Sequence, residues 1–334
     1  GACVVRARLG PRRWSAASAA SCRRMSLRDV EEAPEPPQVE KGFGPAVIIG
    51  NGRMGEAVRR MGIGKDVVVR RGEPFPADAP PGPIYVCTGG NALKDVIAMT
   101  PPERWEDFVF VQNGALLPFL ERELPGLPVT ILLVYFTLAS RGDAPADGKS
   151  DMDPEGLSAV NAFGKWAREV DWRLSTSNLA VRVLSEPTFT QAYCERNLWA
   201  AAYMLVGVLH GSCTVGEVEA DHRAEVDRMV CELATATTAF YPEVRWDRGL
   251  TCERLASYAR SVAHFPTALE EFEWRNGAFY ELSSRAQAVG RLDPCPLHTE
   301  ALRKVGAVSA DAAEPKKAKQ ARGVQDIQSF LLGT

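Results

Sequence analysis

Among its eight cysteines (positions 3, 22, 87, 194, 213, 231, 252 and 295) the chain has no C-x-x-C pair. Neither a cysteine zinc site nor a disulfide-dense secreted framework fits that spacing, which predicts reduced, mostly buried thiols. Its four histidines (210, 222, 264 and 298) are equally scattered, so no structural metal is expected. There is no long hydrophobic run either. The longest, Leu198 to Leu209, falls short of the roughly 20 apolar residues of a membrane span and predicts a buried core helix. Charge of one sign is lacking too. A net charge of -3 gives no clustered excess of Lys and Arg, which excludes non-specific nucleic-acid binding. What remains, 334 residues with 46% hydrophobic and 24% charged, is the composition of a globular protein of about two domains.

The ends differ from the middle. Residues 1–28 carry six arginines before Met25, several Ser and Ala, and no acid until Asp29. That is the composition of an organelle transit peptide. A chloroplast or mitochondrial location is expected from it, or a cytoplasmic one if synthesis starts at Met25. Residues 29–44 form a Pro/Glu linker, and 307–334 an Ala/Lys/Glu tail. The tail closes on "VQDIQSFLL", where Ile327, Phe330 and Leu331 share a face if it is helical. This is similar to peptides that bind replication sliding clamps, but Val324 takes the usual glutamine position and Leu331 that of the second aromatic. Packing of this turn on its own domain or a sister subunit is the preferred expectation.

From Ala46 onward, short apolar runs alternate with helical stretches as a doubly wound sheet requires. The strands are "AVIIG", "DVVVRR", "IYVCT", "FVFVQNG" and "VTILLVYFTLA", with a Pro-rich loop replacing the helix after the second. Val160, Phe163, Trp166, Ala167 and Val170 then take helical spacing. "LAVRVL" is a last strand, and helices follow at about 190–210, 216–240, 249–262 and 266–289. The predicted class is α/β plus all-α: a nucleotide-binding domain over 45–156, a helical substrate or dimerisation domain over 157–306, and an active site in the cleft between them.

The first strand feeds Gly50-Asn51-Gly52-Arg53-Met54-Gly55, which opens a helix. In a dinucleotide-binding turn the first glycine permits the tight bend and the second lets backbone approach a pyrophosphate. The third allows close helix–strand packing, with phosphates at the helix amino terminus. An NAD site usually ends its second strand with an acid on the ribose. Here Arg70 and Arg71 stand at that point, and guanidinium groups favour the extra phosphate of NADP. A solvated edge is the alternative for both. Thr88, closing the third strand, completes the cofactor set with Asn113.

Three motifs in order, "IIGNGRMG", "VQNG" and "EEFEWRNG" (Glu270 to Gly277), resemble those of the ketopantoate reductase family and, more distantly, dehydrogenases with 6-phosphogluconate dehydrogenase-like helical domains. The resemblance spans about residues 45–305. It implies an NADP-dependent (NADPH-oxidising) reductase of a small 2-keto or related carbonyl acid. It places Asn113 near nicotinamide and substrate, Glu271 as the helical domain's active-site acid, and Ser261 and Asn276 on the substrate. Helical domains of this type often pair, so a homodimer is compatible. The departure lies at the family's general-acid lysine, whose position falls on Arg196 in "YCERNLWAAAYML". A guanidinium can polarise a carbonyl but is a poor proton donor. The alternative is therefore a catalytically inactive NADP-binding relative acting as sensor or scaffold.

Glu219, His222, Arg223 and Val226 fall at three- and four-residue spacings. His222 could serve as proton donor and Arg223 as carboxylate binder, or Glu219 and Arg223 are simply an i,i+4 pair on a solvated face. His264 and His298, in short Pro-containing segments, could face the cleft.

Overall fold

The computed structural model describes residues 43–138 and 140–309. The leader, most of the linker, and the tail with Ile327, Phe330 and Leu331 lie outside them. Seven strands form one sheet: β1 (Val47–Ile49), β2 (Val67–Val69), β3 (Ile84–Val86), β4 (Phe108–Phe110), β5 (Thr130–Leu133), β6 (Ala159–Asn161) and β7 (Arg182–Leu184), in the order β2-β1-β3-β4-β5-β6-β7. All neighbours are parallel except β5 and β6. Central strands β1, β3 and β4 are buried throughout, as parallel strands covered on both faces must be. Helices α1 (Arg53–Met61), α2 (Leu93–Met99), α3 (Leu116–Glu123) and α4 (Ala167–Ser175) supply the cover. The segment with Pro74, Pro76, Pro80, Pro81 and Pro83 between β2 and β3 forms no helix, as its prolines predict.

Seven more helices follow: α5 (Glu186–Leu209), α6 (Val215–Asp221), α7 (Arg223–Thr237), α8 (Arg248–Ser261), α9 (Phe272–Arg275), α10 (Gly277–Ala288) and α11 (Pro296–Lys304). Apolar on nearly every side, α5 is the central rod, as its unbroken run predicts. Leu198, Leu205 and Val206 pack in one core with Val218 of α6, Val230 and Leu233 of α7, Leu255 of α8 and Leu302 of α11.

Three expectations are corrected. Val160 and its neighbours do not begin a helix: Ala159–Asn161 is strand β6, an unpredicted strand between β5 and the last strand β7, which lies where "LAVRVL" predicts it. The Asn161 side chain accepts from Ile131 N–H at 2.7 Å and donates to Val129 C=O at 2.9 Å, extending the ladder through a side chain. Phe163, counted in a helical apolar face, is 45% exposed. The helix over 216–240 is two helices, because a Thr214–Glu217 capping box starts α6 and His222, at φ -123°, ends it. The one over 266–289 begins only at Phe272, after Glu271 in the left-handed region at φ 48°.

Beneath the sheet, Arg173 of α4 is fully buried. Its guanidinium donates to Asp66 at 2.7 Å, to Glu169 at 2.7 Å and to the Val58 carbonyl at 3.1 Å. The Tyr85 hydroxyl donates to the same Glu169 carboxylate. Burial pushes the Glu169 carboxyl up from its ordinary range, opposed by Arg173 and by the Tyr85 bond.

Candidate functional site

The strand order reverses at β1, which pairs with β2 on one side and β3 on the other. Ligands of open α/β sheets bind beyond the carboxyl ends of strands at such a point. The glycine turn sits there. Gly50 has φ 109°, and a Cβ on it would lie 2.5 Å from the Cys87 carbonyl oxygen. A Cβ on Gly55 would lie 1.9 Å from the Gly50 carbonyl oxygen, so α1 packs on the turn only because that atom is missing. At Gly52 a Cβ would meet nothing within 4 Å. The three positions thus divide the labour of bend, open approach and close packing. Gly52 also leaves the start of α1 without a side-chain cap, so its first N–H groups face outward beside Arg53 and Met54.

The next strand ends bring Thr88 and Asn113 to the same edge. Gln112 fixes both segments, its amide donating to Val86 C=O at 2.7 Å and Thr88 C=O at 2.9 Å. Thr88 Oγ1 and Asn113 Oδ1 are buried without a hydrogen-bond partner among the described residues. A buried polar atom left so is costly unless a ligand completes it. Gly114 anchors the segment to the helices. Its N–H donates to Asn197 Oδ1 at 3.0 Å, and its carbonyl accepts from Tyr193 OH at 2.6 Å.

These strand ends and the helices enclose a cavity of about 680 Å³. Gly52, Arg53, Met54, Thr88, Asn113, Arg196 and Glu271 all line it, beside an aromatic wall of Phe136, Trp199, Tyr258 and Phe265. Arg196 donates from Nε to Val134 C=O at 3.0 Å and lies over the Tyr135 and Trp199 rings, 5.0 and 5.1 Å from their centroids. Its Nη1 is buried and unpartnered among the described residues. Glu271 is not free. Its carboxylate accepts from Gly90 N–H at 2.9 Å and from Arg275 at 3.2 Å, tying the turn after β3 to α9. Asn51 lies beside the turn and accepts from Arg141 at 2.6 Å. Arg70 and Arg71 are exposed just past the end of β2, where Gly50 N–H donates to Val69 C=O at 2.9 Å.

Gly50, Asn51, Gly55, Arg70 and Arg71 do not line the cavity, and four of the predicted catalytic and substrate-binding positions are not part of it either. Ser261, on the last turn of α8, donates to the Tyr258 carbonyl at 2.8 Å. Asn276 is 1% exposed and its Oδ1 pairs with His298 Nε2 at 2.9 Å. His222 stacks on His210, ring centroids 3.6 Å apart. Arg223 is held by Glu219, Asp227 and Glu253 in a network of ion pairs. The helical spacing of His222 and Arg223 is real, but it points them at neighbouring helices. His264 does line the cavity; His298 does not, and burial lowers its pKa to about 4. Sequence reasoning missed Arg275, whose buried Nε is unpartnered among the described residues, and the aromatic wall. Arg275 lay inside a quoted motif; the wall had no local signal.

Neither a protein-family model nor a curated protein matches the chain. Solved structures do match its fold. A dimeric ketopantoate reductase from Staphylococcus aureus superposes with a TM-score of 0.56 at 14% identity, over 79% of this chain and 99% of its own. The fold is that of the ketopantoate reductases. A second such enzyme, from Ralstonia eutropha, gives 0.53 at 14% identity, over 79% and 99% of the two chains. D-mandelate dehydrogenase, solved with NADH and anilino(oxo)acetate, gives 0.54 at 14%, over 78% and 99%. The likeness to ketopantoate reductases implied by the three sequence motifs therefore holds at the level of fold, across both the sheet and the helices.

Proposed function

We propose that this protein is an NADP-dependent reductase of a small 2-keto or related carbonyl acid. The observation that carries the proposal is the single cavity of about 680 Å³ onto which the glycine turn, Asn113, Arg196 and the Glu271 loop all open. The residues fit a nicotinamide dinucleotide: Gly52 leaves room for a pyrophosphate, and Thr88 and Asn113 hold polar atoms that lack partners. Arg70 and Arg71 are the groups for an added 2′-phosphate. The ketopantoate reductases and the NADH-bound D-mandelate dehydrogenase that share the fold support this class of chemistry.

When bound, the nicotinamide supplies hydride. The chain supplies the rest. The free Nη1 of Arg196 binds the substrate carboxylate or the carbonyl oxygen, held aimed by Val134 and by the two rings beneath it. Arg275, its charge shared with Glu270 and Glu271, offers its unpartnered Nε–H from α9. The imidazole of His264, on the cavity wall, delivers the proton that the arginine at the lysine position does not. The aromatic wall excludes water.

The test uses the full chain. NADPH should raise its melting temperature more than NADH does, and a panel of 2-keto acids including ketopantoate should oxidise NADPH. Glu271→Ala should weaken both, because it leaves Gly90 N–H unpaired and Arg275 with only its longer pair to Glu270 at 3.8 Å. NADPH protection without turnover on any acid would favour the inactive binder instead, a reading that the tethered Arg196 supports. Absence of protection by either nucleotide would end both.

A further inference from the structure

We propose that His210, His222 and Glu225 form a binding site for one zinc-class divalent transition-metal ion, on the helical part and separate from the cavity. His210 caps the carboxyl end of α5, His222 is the single residue between α6 and α7, and Glu225 lies in the first turn of α7. One ligand atom from each lies within 4.8 Å of the other two. Two of them already touch, His210 Nε2 to Glu225 Oε2 at 2.7 Å, and the imidazoles stack 3.6 Å apart at 11°. The ring nitrogens of His222 have no hydrogen-bond partner among the described residues.

The backbone that carries these side chains is fixed. His222 N–H donates to Val218 C=O at 3.0 Å, and its own carbonyl accepts from Glu225 and Val226 at 3.0 and 3.1 Å. His210 N–H donates to Val206 C=O at 3.1 Å. Ligands on helix ends are placed more precisely than ligands on loops. Competing cations are occupied: Arg223 is bound by three carboxylates, and Lys304 pairs with Glu300 at 2.7 Å.

Two imidazoles and one carboxylate are the donor set of zinc with a fourth position left for water. The rings open from their stack about their side-chain torsions so that both nitrogens turn to one ion, while the helix backbones stay in place. The bound ion then ties the end of α5 to the α6–α7 junction. Spacing along the chain carries no sign of the site, because only the fold brings these residues together.

The test titrates metal-stripped full-length protein with Zn²⁺ by calorimetry and with Co²⁺ by absorption. One equivalent should bind, with cobalt d–d bands and no sulfur-to-cobalt charge-transfer band, and Zn²⁺ should raise the melting temperature. His222→Ala and Glu225→Gln should each weaken binding by at least about tenfold, and His264→Ala should leave it unchanged. Circular dichroism of the metal-free variants checks that they fold. Binding that survives a His210→Ala/His222→Ala double variant would overturn the proposal. So would a charge-transfer band, which would place the ion on thiols such as Cys231 and Cys252, 3.8 Å apart.

Discussion

Gly52 and Gly55 sit in the same turn and make opposite demands on an added side chain. A Cβ on Gly55 would collide with the Gly50 carbonyl, whereas one on Gly52 meets no protein atom within 4 Å. Gly55→Ala should therefore destabilise the fold by about 1–3 kcal/mol through overpacking. Gly52→Ala should change stability by less than about 0.5 kcal/mol, as a surface substitution does, yet weaken NADPH binding at least tenfold by filling the approach to the pyrophosphate. Denaturant melts paired with NADPH titrations separate the two, and a Gly52→Ala variant that binds normally would remove the turn from the site. Arg196 and His264 divide in the same manner. Arg196→Ala should raise KM for the acid by about tenfold, the worth of a charge-assisted hydrogen bond. His264→Asn should instead lower kcat by about a hundredfold, the low end for a lost general acid. Neither should move the NADPH affinity, and steady-state kinetics at pH 7 reads both effects.

Arg173 shows what an element needs from outside itself. It joins α4 to the start of β2 and to α1, and its partners Asp66 and Glu169 are buried with it. Arg173→Met would leave two carboxyl groups facing an uncharged chain and should cost about 3–5 kcal/mol. A denaturant midpoint within error of the parent would show that the network adds nothing. Such long-range dependence also decides what could be read in the chain. β1, β3, β4 and α5 were legible because burial on all sides writes an unbroken apolar run. β6 was not, because Val160, Ala167 and Val170 fit a helical period as well as a strand, and what settles it is Asn161 bonding to Val129 and Ile131. The break at His222 was missed because helical periodicity continues across it. Within the site, Gly50, Gly52, Gly55, Asn113, Arg196 and Glu271 were legible because each belongs to a local motif. Arg275 shares the motif of Glu271 and was there to be read, whereas Phe136, Trp199 and Tyr258 come together only when distant segments pack.

Stability of the whole molecule should carry the signature of His298, a residue of α11 at 0% exposure whose ring packs against Phe279 of α10. Burial lowers its pKa from 6.5 to about 4, with Asp293 opposing the shift. The folded protein therefore holds a neutral ring that donates from Nε2 to Asn276, while the unfolded chain accepts a proton as soon as pH drops below about 6.5. Because the unfolded state binds more protons across this window, stability is complete above it and declines as pH falls from about 6.5 to 4, by up to ~3 kcal/mol. Below the folded-state value this contribution becomes flat. His298→Gln retains an amide donor but no titrating ring, so it should lower stability at pH 7 and abolish that part of the slope. Urea midpoints of the two proteins at pH 7, 5.5 and 4.5 make the comparison. Parallel curves would mean that the acid sensitivity arises elsewhere, and converging curves would locate it in the α10–α11 packing.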